Sequence, residues 1–370
     1  MQFIGQKTGK PYKIEATRWI GDNNELLDLS FDFSFCKKKI IDQKFSLWRY
    51  RAALPLPTDA PCISLGEPIT PILPIVFSTG LTAQIKQDQL FATGSYKDRG
   101  AAVLISLLKN LGAKDVIQDS SGNAGASIAA YAARAKMACT IYLPEDTSDA
   151  KVLQMKASGA HICKIKGNRQ ATADATFAAA QGKVYASHCY HPAFFHGTKT
   201  FAYEMAEQFN WKVPDALVLP AGNGTLLLGC YLGFSELYHI GAISKIPKLI
   251  AVQAEACNPL SRIFHNETQL QTYSDTIAEG IAIPNPVRAK QMLEAVQKTN
   301  GTFISVSETE IEQAWKELAA MGFYIEPTSA ATIAGLIKYG KSVENTGEIA
   351  SLFSGHGLKS SAKISHFLQK

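Results

Sequence analysis

Asp115-Val116-Ile117-Gln118-Asp119-Ser120-Ser121-Gly122-Asn123-Ala124-Gly125 carries the pattern that decides the fold. Residues 115–119 read as a short strand, then small polar residues turn the chain into a small-residue helix over 124–135. The same order recurs downstream: strand 138–143, stopped by Pro144, then helix 148–157, strand 161–165, helix 171–180 and strand 184–187. A second set starts near Gly197, with helix 198–208, strand 216–220, the turn Ala221-Gly222-Asn223-Gly224-Thr225 and an apolar helix to about 237. Strand 249–253, helix 286–297, strand 302–306, helices 308–320 and 329–339, and strand 348–353 complete it. Alternation at this spacing means right-handed βαβ units and parallel sheets. The chain is read as α/β, with two open parallel-sheet α/β domains and a ligand cleft between them.

Upstream, Thr93-Gly94-Ser95-Tyr96-Lys97-Asp98-Arg99-Gly100 sets one lysine at a helix entrance. Leu104, Leu107, Leu108 and Leu111 follow it at the spacing of one helix face. An amine there can hold a phosphate as a point charge, or lose its proton and attack a carbonyl. Residues 1–60 lack a repeating pattern and read as an N-terminal arm packing on the large domain. Phe31 to Phe35 alternate like a strand, and Leu54-Pro55-Leu56-Pro57 breaks regular structure. The large domain is then expected from 61–100 and 201–370, and the small α/β domain from 101–200.

Composition narrows the function. With 370 residues, 46% of them apolar, the chain can bury a large core. The net charge of +5 is spread out, without a basic run flanked by aromatics, so no nucleic-acid partner is expected. Apolar runs are too short to cross a bilayer, and Met1 to Lys10 lacks a signal core, so no membrane role is expected and the default location is cytoplasmic. Seven cysteines at wide spacing, with no C-x-x-C, argue against a disulfide framework or zinc ribbon.

Three loops follow strands, where α/β proteins bind ligands. Gly222-Asn223-Gly224-Thr225 opens a helix, and backbone N–H groups at such a start bind phosphate. It is neither a dinucleotide fingerprint, since position 227 is leucine, nor a Walker loop, since no Gly-Lys-Ser/Thr follows. A tight βα turn explains the glycines equally well. Asn123 could be an ordinary N-cap or an amide aimed into the cleft. Ser354, in Ser354-Gly355-His356-Gly357, could cap a turn or meet a ligand. Glu326-Pro327-Thr328-Ser329-Ala330 reads as a helix start with proline in its first turn. His188, Cys189, His191 and His196 are dense, but their spacing fits no zinc pattern and no carboxylate is near, so no metal site is expected.

These motifs together resemble the fold-type II pyridoxal phosphate enzymes (the tryptophan synthase beta-like superfamily), and within them the threonine synthases. The resemblance runs from Trp48-Arg49-Tyr50 through Ser64-Leu65-Gly66-Glu67, Thr70-Pro71, the Lys97 block, Ser120 to Ser127, Gly222 to Thr225 and Glu326 to Ala330, to Ser354 to Lys359. It implies pyridoxal 5'-phosphate as cofactor, bound in the cleft and mainly by the large domain. Lys97 would form the Schiff base with its aldehyde and then shuttle the substrate α-proton. Asn123 would bond the ring hydroxyl, and Gly222, Asn223, Gly224 and Thr225 would cradle the phosphate. Ser354 would meet the pyridine nitrogen; a hydroxyl there can leave it uncharged, where aspartate would hold it protonated. Ser120, Ser121 and His188 are candidate contacts to a small amino-acid substrate.

The implied reaction is threonine formation from O-phosphohomoserine by elimination and water addition, with phosphate released. The alternatives are a threonine or serine ammonia-lyase, a β-replacement enzyme on a non-phosphorylated amino acid, or a non-catalytic ligand-binding protein on the same fold. By register, Phe194 stands where the family often has a substrate phosphate-binding arginine, and phenylalanine cannot replace it. Tyr96 stands where phenylalanine is usual. The aromatic arm suits either a homodimer contact or packing within one chain.

Overall fold

Parallel strands need crossovers, and the sequence supplies helices between most of its strands. The computed structural model describes residues 1–32, 35–40, 45–147, 149–167, 169–267, 273–343 and 347–368. Strands β1 (Gln2–Gly5), β2 (Pro11–Tyr12) and β3 (Leu27–Ser30) come first, then α1 (Lys37–Ile40), β4 (Ile72–Val76) and β5 (Thr82–Lys86). Next are α2 (Lys97–Asn110), β6 (Asp115–Gln118), α3 (Asn123–Arg134), β7 (Ala138–Pro144), α4 (Asp149–Ala157) and β8 (His161–Ile165). Helices α5 (Arg169–Ala179), α6 (Pro192–Thr198) and α7 (Thr200–Gln208) lead to β9 (Ala216–Pro220), α8 (Thr225–His239) and β10 (Lys248–Ala254). The chain ends with α9 (Pro259–Phe264), α10 (Ala289–Lys298), β11 (Thr302–Val306), α11 (Glu308–Ala320), α12 (Pro327–Ser342), β12 (Ile349–Leu352) and α13 (Ser361–Leu368).

Two compact units result: Met1–Ile69 with Lys97–Thr200, and Thr70–Tyr96 with Phe201–Lys370. In the first, β6, β7 and β8 form a parallel sheet with β7 central. Ile141 and Leu143 of β7 are fully buried and share a core with Leu104, Leu107, Ile128 and Tyr131. The expected strand 184–187 shortens to one bridge, Tyr185 to Ile117. Ser187 is the reason: its Oγ accepts from Cys189 N (3.3 Å) and Tyr190 N (3.2 Å), turning the chain.

The N-terminal arm is not irregular. β2, β1 and β3 form an antiparallel sheet whose Phe3 and Leu27 are wholly buried. They join the core that holds the α2 leucines. The arm thus belongs to the first unit, where it was expected on the larger domain. Three alternating strands this short leave little periodic signal. Of the alternating run at 31–35, Phe33 and Ser34 lie outside the described residues, as does Ser148 of the expected helix 148–157.

The motifs at Trp48 and Ser64 meet in one knot. Glu67 accepts from Trp48 Nε1 (2.7 Å), Ser64 Oγ (2.6 Å), Leu65 N (2.8 Å) and Tyr131 Oη (2.6 Å). Burial, then the nearby carboxylates of Asp98 and Glu67, hold the Tyr131 phenol protonated well above its ordinary range.

The second unit is built on a six-stranded sheet, ordered β11-β10-β9-β12-β5-β4. All pairs are parallel except β4 with β5. Every residue of β9 (Ala-Leu-Val-Leu-Pro) and β12 (Ile-Ala-Ser-Leu) is buried, as expected for strands covered on both faces. β4 and β5 carried no clear signal: β4 is interrupted by Pro74, and β5 reads Thr-Ala-Gln-Ile-Lys. Lys86 ends β5 fully buried, paired at 2.6 Å with the equally buried Glu204 of α7. Its Nζ also donates to Thr70 O (3.0 Å) and Gln208 Oε1 (2.6 Å). Among the described residues no helix is long and apolar enough to cross a membrane, and no cysteine is in a disulfide.

Candidate active site

Lys97 is the first residue of α2, and its side chain is half-buried. The stretch before it is held by backbone pairing in the second unit. Tyr96 N donates to Ser354 O (3.1 Å), and His356 N donates to Gly94 O (2.9 Å), around an antiparallel bridge between Ser95 and Gly355. Tyr96 Oη shares a 2.9 Å hydrogen bond with Thr225 Oγ1. So the residue preceding Lys97 touches both the glycine loop and the Ser354 turn. The tyrosine that departs from the family's phenylalanine makes the first of these links. Ser95 Oγ is fully buried and has no hydrogen-bond partner.

The glycine loop leaves β9 and enters α8. Gly224 is the N-cap residue, at φ +72°, with no side chain capping the helix. A Cβ there would overlap Met292, and one on Gly222 would stand 2.7 Å from Gly280 O. The glycines thus let the loop pack closely on Met292 and Gly280 where it enters α8. Ser354 lies two residues beyond β12, which pairs with β9, so both loops leave the same edge of the sheet.

In the first unit, Asn123 is the first helical residue of α3; Gly122 holds the N-cap position, so Asn123 is not the cap. Ser120 is buried, its Oγ accepting weakly from Gly122 N at 3.3 Å. His188 is buried, with Nδ1 3.4 Å from Gln118 Nε2. Gln118 Oε1 already accepts from Asp119 N (2.8 Å), so the amide donates to His188 Nδ1. His188 thus braces the strand end that carries the Ser120–Asn123 loop.

Phe194 corrects the register argument. The segment expected to face substrate folds as α6, whose residues are all buried. Phe194 is 0% exposed, and its ring occupies the space a Cβ on Gly100 would need. Gly197 likewise lets α6 meet the backbone of Arg99. The Phe194 ring centre lies 6.0 Å from Lys97 Nζ. Phe194 thus packs against the first turn of α2. Among the described residues, no group of three or more His, Cys, Asp or Glu side chains could hold a metal ion.

Sequence reasoning set aside Glu326 and Ser329. Both are buried and hydrogen-bonded to the Ser354 turn. Proline at the start of α12 marked the helix start, but nothing local to 326–329 announced the partner at 354.

The second unit therefore carries the glycine loop and the Ser354 turn on one edge of its sheet, and Lys97 opens a helix of the first unit. Comparison with known proteins gives the chain its family. The pyridoxal-phosphate dependent enzyme family matches residues 63–355, and the chain belongs to it. A threonine synthase of Methanocaldococcus jannaschii is 32% identical over 370 residues, covering 95% of this chain and 91% of that one. A threonine synthase of Methanosarcina acetivorans is 34% identical over 324 residues, covering 85% and 80%. Among solved structures, a fungal L-serine ammonia-lyase from Rhizomucor miehei superposes with TM-score 0.69 at 21% identity, covering 82% and 98%, a likeness of fold alone.

Proposed function

We propose that this enzyme is a lyase of the threonine synthase type, converting O-phosphohomoserine and water to threonine and phosphate. The observation that carries it is the linkage of the Lys97 approach to Thr225 and to Ser354. The threonine synthase relatives support the substrate. Phe194, buried in the core, offers no charge to the substrate phosphate, so that contact falls to another residue.

The residues present suit pyridoxal phosphate. The uncapped start of α8 offers backbone N–H groups and a positive helix end to the phosphate of the cofactor. Gly222, Asn223, Gly224 and Thr225 form this cradle, which the Tyr96 hydroxyl steadies through Thr225. Ser95 Oγ, buried beside Lys97 without a partner, is a spare hydroxyl for a polar ligand. Asn123 orients the ring through its hydroxyl, and Ser354 meets the ring nitrogen. When bound, the cofactor supplies an electron sink for charge developing at the substrate Cα. Lys97 holds the cofactor and moves the proton at that carbon. Ser120 and Ser121 offer hydroxyls to the substrate carboxylate, and His188 positions their loop through Gln118.

A parallel assay tests the reaction. Phosphate and threonine should appear from O-phosphohomoserine, and Lys97→Ala should abolish both. Ammonia and keto acid from threonine or serine, without phosphate release, would overturn the assignment.

A further inference from the structure

β11 is the outermost strand of the six-stranded sheet, and a pocket of about 600 Å³ opens beside it, wholly within the second unit. The turn after β10, α9, β11 and the second half of α12 wall it. Its hydrogen-bond donors are committed to the chain itself. Lys338 Nζ donates to Ser305 O (2.8 Å) and stands 3.4 Å from Glu310 and 3.7 Å from Glu255. His265 Nε2 lies 3.0 Å from Phe303 O and gives that carbonyl its proton. Asn258 Nδ2 donates to Ser305 Oγ (3.0 Å). The acceptors are less well served. Asn258 is 8% exposed and lines the pocket, yet its Oδ1 is buried with no hydrogen-bond partner, a costly state for an amide oxygen. Glu255 and Glu267 line the same pocket, each about half exposed. With Glu310 they outnumber the two cations that pair with them, Lys338 and Arg262. The pocket is therefore short of both positive charge and N–H donors.

We propose that this pocket binds a small organic cation rich in N–H donors, an ammonium or guanidinium group on a short hydrocarbon. The N–H groups of the cation meet the carboxylates of Glu255 and Glu267 in charge-assisted bonds, roughly twice as strong as neutral ones. A turn of the Asn258 amide toward the pocket gives Oδ1 the donor it lacks. The hydrocarbon lies on Phe303 and Ile304, the apolar part of the wall. A bare metal ion does not suit the site, since among the described residues no group of three or more His, Cys, Asp or Glu could hold one. No residue assigned above to cofactor or substrate lines the pocket, so the inference stands apart from the reaction proposed for the enzyme.

The test is calorimetric titration of the holoenzyme with butylguanidinium, which has no amine to react with the cofactor aldehyde. One saturable binding event per chain is expected. Glu255→Gln, at a half-exposed side chain, should weaken it about tenfold, with the visible absorption of the cofactor unchanged. Asn258→Asp keeps an acceptor at the same place and adds negative charge, so it should tighten binding. Affinity that neither variant changes overturns the inference, as does the lack of any saturable heat with the wild type. Butyrate binding as tightly as butylguanidinium would show a site for anions and overturn it too. So would displacement of butylguanidinium by an equal concentration of potassium ion, which carries charge but no N–H.

Discussion

Phe194 shows how a single residue can mislead in one dimension. Aligned by motif it looks like a missing phosphate ligand; in space it is a core residue under the first turn of α2. Phe194→Ala should cost about 3–5 kcal/mol in denaturant unfolding, the usual range for an emptied aromatic site. Phe194→Arg should also destabilise, and should not lower the KM for O-phosphohomoserine; a lowered KM would return the position to the substrate wall. Nearby, burial and then the charge of Lys199 hold His196 well below its ordinary range, against a backbone bond to Leu29 that pulls the other way. The folded state therefore stays unprotonated where an unfolded histidine, with a pKa near 6.5, takes a proton. Below about pH 6.5 the unfolded state binds more protons, so stability falls as pH falls, by about 1.4 kcal/mol per unit from this group. Urea titrations from about pH 7 to about pH 5 should show that slope, and His196→Gln should flatten it.

At the scale of elements, the loop between β9 and α8 was legible. A fully apolar run, two glycines and an apolar helix leave few other readings, and the strand is found at 216–220 as expected. Gly224 gives the loop its sharp prediction. Alanine there meets both the left-handed φ, about 1–2 kcal/mol, and Met292. Gly224→Ala should weaken cofactor affinity by about tenfold or more, read by fluorescence titration of the apoenzyme. β11 and α11 were equally plain: the latter starts with a capping box, Ser307 and Glu310, that shows in sequence and in structure. The arm was not legible, because strands of two to four residues do not establish a period. Nor was the Ser354–Glu326 bond, whose partners are 28 residues apart and joined only by the meeting of the β12 end with the α12 start.

Across the whole molecule, the α/β class and its parallel order followed from alternation, while the polar interior did not. Lys86 and Glu204 sit in stretches that look amphipathic, yet both are 0% exposed, and the pair closes the end of β5 on α7. Removing one partner strands a buried charge. Lys86→Met should cost about 3–5 kcal/mol, and the double change with Glu204→Leu should recover most of it. A double variant that loses the sum of the two single losses would mean that the pair is not coupled.

The central claim is that Lys97 carries the cofactor. Borohydride reduction of the holoenzyme followed by peptide mapping tests it most directly. The account predicts the reduced pyridoxyl label on the peptide containing Tyr96-Lys97-Asp98, and no label in Lys97→Ala. A label on any other lysine, or none on the wild type, would contradict it.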